Sequence, residues 1–183
     1  MYAGSHPYET ISFQWSNHIE HADGTLLHED YLHHDGTDPR ETFTQTLMKS
    51  LGREGSICVY TAYEQGVLTA LADRLPQFRR EILAVIERLW DLHAVVKANY
   101  YHPDFWGSFS LKSVLPALVP ELAYADLEIQ DGSTASVQYA RMISESTVAN
   151  ERASIRKALL KYCERDTLAM LEVRKALGRK AGC

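Results

Sequence analysis

Positive charge is in deficit in this chain. Nineteen Lys and Arg stand against 24 Asp and Glu, giving a net charge of −5, so no global basic field recruits nucleic acid. Cysteine is scarce too. Cys58, Cys163 and Cys183 are odd in number, widely spaced and without a Cys-x-x-Cys pair, which argues against a disulfide framework or a zinc ribbon. Cys58 and Cys163 sit in apolar runs and read as core thiols. There is no signal peptide and no apolar run of membrane length, so a cytoplasmic location without membrane attachment is expected. No internal repeat and no linker divides the 183 residues, of which 45% are hydrophobic. The chain reads as one domain over 1–183 with a core of its own.

The most informative stretch lies near the C-terminus, over 159–177. Leu159, Cys163, Met170, Val173 and Leu177 recur every three or four residues on one helical stripe. Asp166 occupies a position on that stripe where an apolar side chain belongs, with Tyr162 one turn before it. A carboxylate facing a core is costly unless paired, hydrogen-bonded or metal-bound. Asp166 is therefore either an edge-of-core acid or a ligand presented to a cleft. Arg156, Lys157, Lys161, Arg165, Arg174, Lys175, Arg179 and Lys180 crowd the same helix, as a solvated face or as a local basic strip.

Upstream, residues 1–10 read as an extended lead-in. Residues 11–19 alternate, with Ile11, Phe13, Trp15 and Ile19 on one face, as in a half-buried strand. Ala22-Asp23-Gly24 supplies a turn and 25–32 a second strand, so an antiparallel hairpin is expected. His33 and His34, at its far end, read as solvated; a metal site there with His28 and Glu29 is the lesser alternative. Asp38-Pro39-Arg40-Glu41 is a helix start with a capping box, and Gly52 is its C-cap. Residues 56–60 form a continuous apolar run, which suits a parallel or central strand. A helix follows at once, placing Glu64 past the C-terminal end of a buried strand, where open α/β sheets put their sites. Thr61 and Glu64 also have capping-box spacing.

Further on, a helix is expected from Gln77 to about Leu89, then a short strand or boundary at Trp90-Asp91-Leu92. The aromatic loop 100–107 either stacks nucleobases or folds back over the core. A short helix from 110 is expected to stop at Pro116. A polar helix near 135–144 and the long C-terminal helix complete the chain.

In this order the chain resembles an uncharacterised bacterial domain-of-unknown-function family with a DnaQ-like, DEDD-type exonuclease fold. The resembling residues are Pro7-Tyr8-Glu9, the run Phe13-Gln14-Trp15-Ser16-Asn17-His18, the stretch 55–64, Trp90-Asp91-Leu92, the stretch 100–116, Asp131-Gly132 and the stretch 162–170. The resemblance implies an α/β, RNase H-like mixed sheet flanked by helices. It further implies a metal-dependent 3′–5′ exonuclease-like hydrolase acting on DNA or RNA, in which four carboxylates hold two Mg²⁺ or Mn²⁺ ions. Glu64 and Asp166 match metal-binding acids, Glu64 where most relatives of the wider fold have Asp. Tyr162 matches the residue that orients the attacking water, and Tyr100, Tyr101 and Lys112 fall in the nucleic-acid-binding stretch. Relatives carry Asp-x-Glu on an opening central strand that is not found here. The chain is thus expected to be an N-terminally incomplete, fragmentary or late-start form, inactive as written, with a RecB- or Cas4-like nuclease part in the full-length protein. The alternative is a non-catalytic module that binds nucleic acid or protein within a larger nuclease system. With the opening strand missing, an open slot between residues 11–19 and 56–60, or a protein poorly stable alone, is expected; direct pairing between them would instead favour the non-catalytic module.

Overall fold

A computed structural model describes residues 9–182; most of the expected lead-in, Pro7-Tyr8 and Cys183 lie outside them. Two strands, β1 (Gln14–Glu20) and β2 (Leu26–Leu32), pair antiparallel with His18 opposite His28. Gly24, at φ +83°, closes the turn between them, a conformation that costs glycine nothing. The expected hairpin is therefore present, but both of its faces are covered. Trp15 and Asn17 face the helix α1 (Arg40–Leu51), donating to Thr46 Oγ1 at 3.0 Å and Ser50 Oγ at 3.1 Å. Ser16 and His18, on the opposite face, reach Thr167 of the C-terminal helix. The small polar side chains expected to face water are thus a second packing surface. Phe13 leaves the strand's alternation and stacks on Tyr139, ring centroids 3.9 Å apart.

The start of α1 falls where Asp38-Pro39 places it, with Gly52 at its end. Its capping box does not form. The Asp38 carboxylate instead accepts from the Arg40 backbone N–H at 3.1 Å and from the Arg40 guanidinium at 2.6 Å. Arg40, which also pairs with Glu9 at 2.8 Å, is buried and claims the acid more strongly than a backbone donor can.

Strand β3 (Ile57–Val59) pairs parallel with β4 (Leu89–Asp91) across α2 (Tyr63–Arg74) and α3 (Arg79–Ile86). Parallel pairing follows the expectation for the apolar run. The central position does not, because among the described residues β3 and β4 form a sheet of their own. The fold is mixed α/β with two two-stranded sheets rather than one flanked sheet, and β1 does not pair with β3.

After β4 come α4 (Leu92–Asn99), α5 (Leu111–Leu118), α6 (Gly132–Met142) and the 33-residue α7 (Ala149–Ala181). Helix α5 runs through Pro116 instead of stopping there. The proline forfeits one backbone bond, but buried Val114 and Leu115 beside it hold the turn in the core. In the aromatic loop Phe105 is fully buried while Trp106 is 89% exposed, so the loop both covers the core and presents a ring to solvent. At the hairpin's far end His33 is buried, not solvated, bonded to the Tyr31 hydroxyl at 2.8 Å and to Thr37 at 3.1 Å. Among the described residues no helix is long and apolar enough to cross a membrane.

Three apolar clusters meet along this frame. One joins Trp15, Phe43, Leu68 and Ile82; a second joins Leu32, Tyr139, Met142 and Leu159; a third joins Leu92, Phe105, Leu115 and Val173. Helix α7 serves the last two. Its inward stripe runs through Ile155, Leu159, Tyr162, Asp166, Ala169, Val173 and Ala176, the 4-3-4-3 spacing of a helix packed along its length.

Candidate functional site

Glu64 lies in the first turn of α2, just beyond the end of β3, and Asp91 ends β4, so both acids stand at the C-terminal edge of the parallel pair. Chain direction alone puts them there, since β3 and β4 run the same way. The junction between β3 and α2 is strained: Thr61 sits at φ +81°, a left-handed conformation that costs a β-branched residue energy. The Thr61 backbone N–H donates to Asp91 Oδ1 at 2.9 Å, and the same oxygen caps α4 by accepting from His93 N–H, also at 2.9 Å. The expected Thr61–Glu64 capping box does not form. Ala62 is the N-cap, and Glu64 is freed from that duty.

Glu64 Oε2 is buried and, among the described residues, has no hydrogen-bond partner. Burial, with the charges of Asp91 and Asp166 added to it, pushes the Glu64 carboxyl up to about 7. Asp166 is held from the other side. Its Oδ1 accepts from the Tyr124 hydroxyl at 2.7 Å, and the nearby Tyr162 phenol also favours its charged form. Burial raises its pKa, while the two phenols and the Lys112 charge partly offset the rise. Tyr60, which donates to the Phe109 carbonyl at 2.7 Å, is pushed up to about 12 by burial and by Asp91.

The structure therefore brings Glu64, Asp166 and Tyr162 into one electrostatic neighbourhood and adds two groups, Asp91 and Tyr124. Asp91 carries a local signal, an acid two residues before a helix's His93 N–H, which reads as a cap. Tyr124 lies in an irregular loop and carries no periodic signal. Lys112 stands 5.9 Å from the centre of the Tyr124 ring. Both line a cleft of about 320 Å³ together with Pro116, Ala123, Gln130 and Asp131, so the cleft opens on the Tyr124 side of Asp166 and not on Glu64. Asp131 is itself committed as the N-cap of α6, accepting from Thr134 N–H at 2.8 Å. Tyr100 and Tyr101 differ in surroundings: Tyr100 packs beneath Lys180, 5.7 Å from ring centre to ammonium, whereas Tyr101 is exposed.

Four of the basic residues of α7 share two acids. Lys161 and Arg165 pair with Asp126, each at 3.0 Å, and Arg174 and Lys175 pair with Glu20. What the site offers chemically is a set of acids under mutual repulsion in a partly dry environment, which a hard divalent cation would relieve. The ligand atoms of the three acids do not lie within 4.8 Å of one another; among the described residues that compactness belongs to His18, His28 and Glu164.

A family model described as a domain of unknown function, DUF2779, matches residues 1–110. No curated protein and no solved structure matches the chain.

Proposed function

For a chain that belongs to the DUF2779 family, whose description assigns no activity, we propose divalent-cation-dependent phosphodiester chemistry on nucleic acid, of the 3′–5′ exonuclease kind. The observation that carries this reading is the buried Glu64 Oε2, without a hydrogen-bond partner among the described residues, beside Asp91 and Asp166 at the C-terminal edge of β3 and β4. A carboxylate left in that state is costly, and Mg²⁺ or Mn²⁺ is the ligand whose oxygen preference suits it. Glu64 and Asp166 would hold the cation, with Asp91 offering the oxygen not engaged by Thr61 and His93. The chemistry such an ion would supply is charge neutralisation of these acids and acidification of a water beside a phosphodiester oxygen. Tyr124 fixes the Asp166 rotamer through its 2.7 Å bond. Tyr162, one helical turn before Asp166, would orient a water at the same carboxylate. Lys112 supplies positive charge between the cleft and Asp166, where a phosphate would meet it, and exposed Tyr101 offers a stacking surface.

Three spread acids hold a cation more readily than they turn over a substrate, since the two-ion arrangement rests on more carboxylates. Binding should therefore be the stronger signal. The test is Mn²⁺ titration of the purified chain, alongside digestion of single-stranded DNA and RNA oligonucleotides labelled at either end. Expected is saturable Mn²⁺ binding, weakened roughly tenfold or more by Glu64→Gln and by Asp166→Asn. Any degradation should be slow, metal-dependent and from the 3′ end. Absence of Mn²⁺ binding, or binding unchanged in both variants, overturns the reading.

A further inference from the structure

On the opposite side of α7 from Asp166, a second group of side chains converges that the acid cluster does not use. His18 of β1 and His28 of β2 stand opposite each other in the hairpin, ring centroids 4.5 Å apart, and Glu164 reaches toward them from α7. One ligand atom from each of the three lies within 4.8 Å of the other two. The separation from Asp166 is a matter of helix geometry: two residues advance the helix by about 200°, so Glu164 and Asp166 point to opposite sides.

Each imidazole is held by one nitrogen and leaves the other over. His18 Nδ1 meets the Thr167 hydroxyl at 2.8 Å, and His28 Nε2 meets the Ser16 hydroxyl at 2.9 Å. The two hydroxyls bond to each other at 2.8 Å, and Thr167 also reaches the Glu164 carbonyl at 3.2 Å. His18 Nε2 and His28 Nδ1 have no hydrogen-bond partner among the described residues. A ring nitrogen tied to a fixed partner sets the tautomer and orientation of the other, which is how proteins prepare histidines to bind metals. Burial and the neighbouring ring favour the neutral form of His18, the form that ligates. Lys175, whose charge acts on His18, is answered by Glu20 at 3.4 Å and Glu172 at 3.6 Å.

We propose that His18, His28 and Glu164 form a binding site for a zinc-class divalent transition-metal ion, joining the β1–β2 hairpin to α7. Two imidazoles and one carboxylate are a donor set that zinc accepts and that Mg²⁺ does not favour. Ligands around a tetrahedral zinc, at bonds of about 2.1 Å, stand some 3.4 Å apart. The present spacing therefore needs a modest contraction, which the exposed Glu164 side chain can supply by changing rotamer. Three protein ligands leave a further position for water, as in open zinc sites. The ion would tie together two elements more than 130 residues apart in sequence, adding to the hydroxyl bonds and the Glu20 ion pairs that already link them.

The experiment titrates Zn²⁺ alone into the full chain by calorimetry in excess Mg²⁺, and repeats the titration with Co²⁺ to read the visible absorption of nitrogen and oxygen coordination. One equivalent of Zn²⁺ should bind and perturb the ring resonances of His18 and His28. His28→Asn and Glu164→Gln should each weaken it by more than the roughly 10–100-fold that loss of an outer hydrogen-bond partner costs. Thr167→Val should fall within that range. Glu164→Gln is an exposed, near-isosteric change that does not threaten folding. Glu64→Gln and His34→Asn should leave Zn²⁺ affinity unchanged, which separates this site from the acid cluster and from the hairpin's far end. No stoichiometric Zn²⁺ binding by the wild-type chain, or affinity undiminished in Glu164→Gln or His28→Asn, overturns the proposal.

Discussion

A single buried carboxyl shows how local environment becomes a pH-dependent property. Glu64 ionises near 4.5 when unfolded and at about 7 in the fold, so between those values the folded protein holds the extra proton. Stability then falls as pH rises through that window, and the whole cost is present above about 7. Glu64→Gln removes the titration. In the presence of a chelator, its melting temperature should match wild type near pH 4 and exceed it near pH 8, by a difference worth about 1–3 kcal/mol. Equal melting temperatures at both values would reject the raised pKa. Tyr124→Phe tests the other acid. It strips a donor from the partly buried Asp166 and should cost about 1–3 kcal/mol at neutral pH, measurable by denaturant unfolding. The thiols provide a quieter check: burial raises Cys58 to about 12 and Cys163 higher still. In a Cys183→Ser background both should react far more slowly with a thiol reagent in the native protein than after unfolding.

At the scale of elements, the junction between β3 and α2 is the place where local preference yields. Thr61 holds φ +81° while its N–H is bonded to Asp91. Thr61→Gly should relieve strain and raise stability by about 1 kcal/mol, provided the Asp91 bond persists; a loss of stability would show that the threonine hydroxyl matters more than the backbone. The elements themselves were legible where periodicity is local. The alternating hairpin, the Asp38-Pro39 helix start, the parallel apolar strand and the long α7 all follow from spacing and capping chemistry. Asp166 is legible for the same reason, as the one acid on an apolar stripe. The capping boxes misled because Asp38 is engaged by its near neighbour Arg40, and the Thr61 N–H by Asp91, which only a tertiary contact brings in. Tyr124 and the His18–His28–Glu164 trio were illegible. Their meeting depends on hairpin register and on the face that α7 turns toward it, and neither leaves a signal within one segment.

The whole molecule depends on connections between small pieces, since neither two-stranded sheet would be stable alone. Arg88 is one such connection. Its guanidinium donates to the carbonyls of Leu51, Gly52 and Gly55 at 2.7–2.9 Å, and to that of Glu54, gathering the α1–β3 loop onto the end of β4. Arg88→Met keeps the stem and loses the fork, and should destabilise by about 2–4 kcal/mol. Leu159, fully buried in the cluster beneath the hairpin, should cost about 2–5 kcal/mol when cut to alanine. Both variants should unfold in one transition if α7 couples its two clusters, whereas separate transitions would mean they melt independently.

That long helix also sets a clock along its own backbone. It extends about 50 Å, but its buried positions end at Ala176, and Arg179, Lys180 and Ala181 are exposed. Amide protons over 159–173 can meet solvent only when the apolar clusters open, so their exchange with deuterium should track global unfolding. Those over 179–181 can exchange by fraying of the last turn, orders of magnitude sooner. The boundary between slow and fast amides should therefore fall within a turn of Ala176, marking on the time axis where the helix ceases to be part of the core.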